Sequence, residues 1–172
     1  FKGEKTQNNS KGCGGIMRVA PMALLDAGYA SRNENGYSIE ELAEAGGEIA
    51  EVTHKHPLGF LPASLLTVLL YKIVPISPKQ VREEIDGIVA DTVSILDRIY
   101  KGKYESDKRY LKELTSKAVR LAYSDISDAD AIRELGEGWV AEETWAIALF
   151  CVIRHIDSVE DAIIASVNHD GD

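Results

Sequence analysis

Residues Ser77–Gly102, SPKQVREEIDGIVADTVSILDRIYKG, decide the fold class. Ser77 stands where a side chain can cap a helix, Pro78 suits the first helical position, and Gln80 completes the start signal. The apolar residues Val81, Ile85, Ile88, Val89, Val93, Leu96 and Ile99 recur at intervals of three or four, apart from one adjacent pair. That spacing lays one apolar stripe along a helix, and Gly102 is its expected stop.

The same reading extends to both sides. Upstream, Pro21–Ala27 predicts a short helix stopped by Gly28, followed by a turn-rich loop over Ala30–Gly36. Ser38 and Glu41 form a capping-box pair, which opens a helix through Leu42, Ile49 and Val52 towards His54. Pro57 is expected to end it, and the apolar run Leu58–Val74 gives the next helix. Downstream come helices over Tyr110–Tyr123 and Asp128–Leu135. A break at Gly136-Glu137-Gly138 separates them from an apolar helix over Val140–Arg154. Ser158 caps a last helix, with Asp161 in its first turn, that reaches about Asn168. No alternating strand pattern reaches a useful length, so the class is all-α.

With 172 residues, 45% hydrophobic and 27% charged, the chain has the length and composition of one globular domain. A net charge of −9 argues against general nucleic-acid or anionic-membrane binding, which requires a positive footprint. No apolar run reaches 18 residues and no secretory signal is present. Cys13 and Cys151 match no metal spacing and make no disulfide framework, so a reducing cytoplasm is the expected setting. Cys151 reads as a small core residue.

The densest chemical signal is Asn8–Ala20, NNSKGCGGIMRVA, where Gly12, Gly14 and Gly15 stand beside Ser10, Lys11 and Arg18. Glycines packed this closely suggest a tight turn or a close approach. A loop feeding a helix N-terminus presents N–H groups and a positive dipole end, which suit an anion such as phosphate. It is neither GxGxxG after a strand nor GxxxxGK[ST], and a plain tight turn fits the loop equally well.

Four stretches, in order, resemble the ADP-ribosylglycohydrolase family: SKGCGGIMRVAP (Ser10–Pro21), THKHP (Thr53–Pro57), LGEGWVAEETWAIAL (Leu135–Leu149) and SVNHDGD (Ser166–Asp172). The resemblance implies an orthogonal multi-helix bundle and hydrolytic removal of ADP-ribose from a modified protein or small molecule. It also implies two magnesium ions, with manganese as the alternative. It carries phosphate contact to Ser10, Lys11, Gly12, Gly14 and Gly15, and a place in the ADP-ribose pocket to His54. A helix-end histidine satisfied by a carbonyl is the other reading of His54. Asp172 matches the first aspartate of the family's C-terminal metal motif and is the expected ligand, with Asp170 at most an outer contact. His56 and His155 read as structural, and Glu142 and Glu143 as first-turn residues compatible with the helix dipole. Trp139 reads as a ligand cover or as core, and Glu137, in the glycine break, as a slightly better candidate for a functional carboxylate than Glu142 or Glu143.

The family's N-terminal TDDT-like run is absent here, and the chain begins with Phe1 and ends at Asp172. The expectation is therefore a single all-α domain over 1–172 that is a fragment, incomplete at both ends, with the catalytic base unassigned. Two other functions fit the residues: a catalytically inactive module that binds ADP-ribose or a nucleotide, and a helical scaffold without a ligand. Whether the cleaved linkage is to arginine, serine, a nucleic-acid end or a small molecule stays open.

Overall fold

The computed structural model describes residues 8–30 and 36–171. Among these residues it forms eight α-helices and no strand, in agreement with the all-α expectation. In order they are α1 (Ala20–Ala30), α2 (Ile39–Glu51), α3 (Pro57–Ile73), α4 (Pro78–Ile99), α5 (Glu105–Ala122), α6 (Asp128–Leu135), α7 (Ala141–Arg154) and α8 (Val159–Val167). A single 3-10 turn, Ile16–Arg18, leads into α1.

Helix α3 is the hub, because its sequence is apolar on nearly every side. It packs against α1, α2, α4, α5 and α7, and its Leu61, Leu65 and Val68 are fully buried. The α2–α3 contact is the most extensive, and small residues make it close. A methyl group on Gly46 would stand 2.2 Å from Thr67 Oγ1, so α2 lies against α3 where any larger residue would push them apart. On the far side, Trp145 and Phe150 of α7 complete the core with Leu111 of α5.

The capping signals at Ser38 and Ser77 form as expected, each with both reciprocal hydrogen bonds. Several boundaries differ from the sequence expectation for local reasons. Helix α1 continues through Gly28 to Ala30, since a single glycine lowers helix stability by only about 1 kcal/mol. Helix α2 stops at Glu51, before His54, and Pro57 starts α3 rather than ending α2. His56 is the N-cap of α3: its Nδ1 accepts from Leu58 N–H at 3.1 Å, and proline at the first position lacks the N–H that would go unpaired.

Helix α4 hands over at Tyr100, two residues before Gly102, which has φ +71°. Helix α5 begins at Glu105, five residues earlier than its apolar pattern suggests. Its charged first turn hides a buried lysine, Lys108, which donates to Glu105 and to the Tyr100 carbonyl. The turn expected over Ala30–Gly36 and the first seven residues lie outside the described residues, apart from Ala30 and Gly36 themselves.

Candidate functional site

The glycine loop is held between two helix N-termini. On one side Ser10 O accepts from His56 N–H, at the α3 N-cap, at 3.2 Å. A methyl on Gly59, in the first turn of α3, would stand 2.7 Å from Ser10 O and 3.2 Å from Lys11 Cα. On the other side Lys11 O accepts from Ala141 N–H, the first residue of α7, at 2.8 Å. Cys13 N–H donates to Trp139 O at 3.1 Å, so Gly12 and Val140 form an isolated antiparallel bridge. The positive ends of two helix dipoles therefore converge on residues 10–12.

His54 lies against this loop. Methyl groups on Gly12 and Gly14 would each touch its ring at 3.4 Å, and one on Gly15 would stand 3.3 Å from it. No left-handed φ occurs at these three glycines, since positive φ among the glycines falls at Gly102, Gly136 and Gly138. The close approach explains Gly15, which is also 3.1 Å from the Gly59 carbonyl by the same measure. Gly12 and Gly14 leave the loop backbone bare beside the imidazole. Ser10 is inside the loop's own hydrogen bonding: its Oγ accepts from Gly12 N–H at 3.3 Å.

His54 Nδ1 shares a hydrogen bond with Thr53 Oγ1 at 2.7 Å, and no backbone carbonyl takes it up among the described residues. Partial burial, and after it the charge of Arg18, hold its pKa below the ordinary histidine value. Arg18 itself is committed to the end of α2, donating to Ala50 O at 3.2 Å and to Thr53 Oγ1. Its charge thus completes a helix C-terminus, where a cation is favourable.

Lys11 has the partner that sequence reasoning missed. Its ammonium donates to Glu142 Oε1 at 2.5 Å, and Glu142 is only 1% exposed. Glu143 is used differently: its Oε2 accepts from both Glu137 N–H and Gly138 N–H at 3.1 Å. The first-turn position of both acids was legible in the sequence. Their partners, 131 residues away for Glu142 and in the preceding break for Glu143, were not.

The break at 136–140 also meets the C-terminal stretch. Gly171 is packed so tightly on Glu137 that an added methyl would overlap its carbonyl oxygen. Together with α6, residues 168–171 enclose a cleft of about 230 Å³ lined by Arg133, Glu137, His169 and Asp170 among others. His169 Nδ1 accepts from Gly171 N–H at 3.0 Å, and Asp170 Oδ2 lies 3.9 Å from Arg133 with its side chain almost fully exposed. Asp172 lies outside the described residues. Among the described residues no three His, Cys, Asp or Glu side chains gather closely enough to hold a metal ion.

The remaining candidates resolve plainly. Trp139 is an exposed aromatic beside the loop rather than core, and Cys151 is a buried core residue whose thiol burial pushes up to about 11. His155 Nε2 pairs with Asp128 Oδ2 at 2.9 Å, in keeping with a structural role. No helix of the described residues is long and apolar enough to cross a membrane.

The all-α architecture is the one that the four sequence stretches imply. The ADP-ribosylglycohydrolase family matches residues 1–172, and the chain belongs to that family. Among individual proteins it is similar to the human (Homo sapiens) protein named ADP-ribosylhydrolase ARH3, at 24% identity over 191 residues. That alignment covers 100% of this chain and 49% of the human protein, so the chain spans about half the length of this relative. No solved structure matches the chain significantly.

Proposed function

We propose that this chain works in hydrolysing ADP-ribosyl groups from a modified protein side chain or small molecule, and that its own residues bind the ADP-ribose. The observation that carries the reading is the convergence of α3 and α7 on residues 10–12, beside the bare backbone of Gly12 and Gly14 and the ring of His54. In this reading the loop from Ser10 to Gly15 receives the pyrophosphate, because helix N-termini favour negative charge. His54, held below its ordinary pKa, presents a neutral ring to the ligand at pH 7. Trp139, exposed at the edge of the loop, offers an aromatic face.

Magnesium belongs to the proposal through family membership and the match of Asp172 to the family's C-terminal metal motif.

The test is calorimetric titration of ADP-ribose into the chain, first with magnesium and then with EDTA, followed by release assays on ADP-ribosylated arginine and serine peptides. Binding together with release supports the hydrolase. Binding in both buffers without release supports the alternative, an inactive ADP-ribose module. Absence of binding in both overturns the loop as a pyrophosphate cradle.

A further inference from the structure

The pair formed by Lys11 and Glu142 joins the glycine loop to α7 by side chains, where Ala141 N–H already joins them by backbone. Glu142 is an unusual place for a carboxylate. The residue is 1% exposed, and its Oε2 is buried with no hydrogen-bond partner among the described residues. Its charge is therefore balanced by one ammonium, with help from the helix N-terminus it occupies. Lys11 is the less buried member, with 43% of its side chain exposed. The hydrogen bond to Glu142 is the largest influence on Lys11 and raises its pKa, against the opposite pull of burial. Such a pair does not separate easily, because leaving Glu142 would strand a buried charge.

We propose that Glu142 is a positioning residue for ligand binding, acting through Lys11: the pair fixes the loop, and the outer face of the same ammonium, in the arrangement that receives a diphosphate. This rests on the reading of the Ser10–Gly15 loop as the pyrophosphate cradle. A free lysine has four rotatable bonds to order on binding, and holding it beforehand removes that cost. The proposal differs from a simple electrostatic one. If Lys11 only attracted the anion, removing its counter-charge would strengthen binding. If the pair positions the loop, removing either member weakens it.

The experiment is a double-mutant cycle with Lys11→Met, Glu142→Gln and the double variant, read as the Kd for ADP-ribose both with magnesium and with EDTA, well below each variant's melting transition. Loop exchange at the Cys13 and Ala141 amides is measured alongside. Each single variant is expected to weaken binding about tenfold and to speed exchange at both amides, on the scale by which contacting residues couple. The double variant is expected to bind no worse than the weaker single, and Lys11→Arg to stay within about threefold of wild type, since it keeps the charge. Lys11→Met strands the buried carboxylate and risks misfolding, whereas Glu142→Gln and the double variant remove that charge and keep the cycle informative. Glu142→Gln binding as well as wild type, or more tightly, overturns the proposal while leaving the cradle intact, as do single effects that multiply in the double variant. A wild-type chain that binds no ADP-ribose removes the cradle and this inference with it.

Discussion

The seat of the loop on α3 makes a substitution with a sign that can be worked out beforehand. In Gly59→Ala the new methyl would stand 2.7 Å from Ser10 O, 3.1 Å from His54 Cβ and 3.2 Å from Lys11 Cα. Two of those three neighbours are backbone, so the loop has to move as a piece. Restoring an ordinary 3.4 Å to the first contact requires a displacement of about 0.7 Å (3.4 − 2.7). Overpacking of this kind costs about 1–3 kcal/mol, and the better helix propensity of alanine returns at most about 1 kcal/mol. The net expectation is a loss of about 1–2 kcal/mol, which for a chain of this length lowers Tm by about 3–6 °C. Binding suffers more: if the shift loses one hydrogen bond to a charged phosphate, affinity for ADP-ribose falls about tenfold or more.

Gly87→Ala is the internal control. Gly87 lies within α4 with nothing among the described residues within 4 Å of an added methyl. There the same change is expected to raise stability by about 0.5–1 kcal/mol and leave binding untouched. Thermal melts and ADP-ribose calorimetry on the two variants give the comparison. A Gly59→Ala protein that melts as high as wild type and binds as tightly would refute the account of how the loop is held.

Two further outcomes follow from single contacts. Trp145 is 2% exposed and its indole N–H donates to Thr115 Oγ1 at 2.9 Å, so Thr115→Val leaves a buried donor unpaired. The expected cost is about 1–3 kcal/mol, seen as a fall in Tm of about 3–8 °C, and a fall below about 1 °C would contradict it. His54 has a lowered pKa, so between its folded value and the ordinary 6.5 the unfolded chain holds a proton that the folded one does not. Stability therefore rises with pH through that window, is complete above it, and is lost as pH falls. Urea unfolding of wild type and His54→Gln at pH 5 to 8 tests this, and equal pH slopes for the two would refute it.

Helix class was legible because it is written in local spacing and caps. Ser38, Ser77, Ser127 and Ser158 each accept from the backbone N–H three residues on; three of these caps were read from sequence alone, and the fourth helix was read at Asp128–Leu135 without its cap. What escaped was information that local pattern does not carry. Pro57 and His56 look like a helix ending because proline stops a preceding helix and starts a following one equally well. The beginning of α5 was missed because its first turn is charged, and the residue it buries there is a lysine, Lys108, paired with Glu105 and Asp97, rather than an apolar residue. At the site, the glycine loop and His54 could be singled out by residue type and by resemblance. Their contact is a product of the α2–α3 turn, and nothing in a one-dimensional pattern brings Gly59 under Ser10.

A chain of net charge −9 presents a difficulty for any anion site, and the loop's surroundings show how it is met. Of the two acids in the first turn of α7, Glu142 has a counter-charge and Glu143 is held by hydrogen bonds alone. Glu142 is paired with Lys11, and Glu143 accepts two backbone N–H groups from the 137–138 turn. The charge of Glu143 still reaches Lys11, so an anion at the loop relies on the Lys11 ammonium and on the dipole ends of α3 and α7. The 136–140 turn that Glu143 secures is also the segment that touches the loop through Trp139 and the C-terminal stretch through Glu137. One carboxylate thus holds the piece of chain that links the proposed phosphate cradle to the stretch 168–171. Charge balance and geometry at the site are set by the same few residues at the start of α7, so a substitution there disturbs both together.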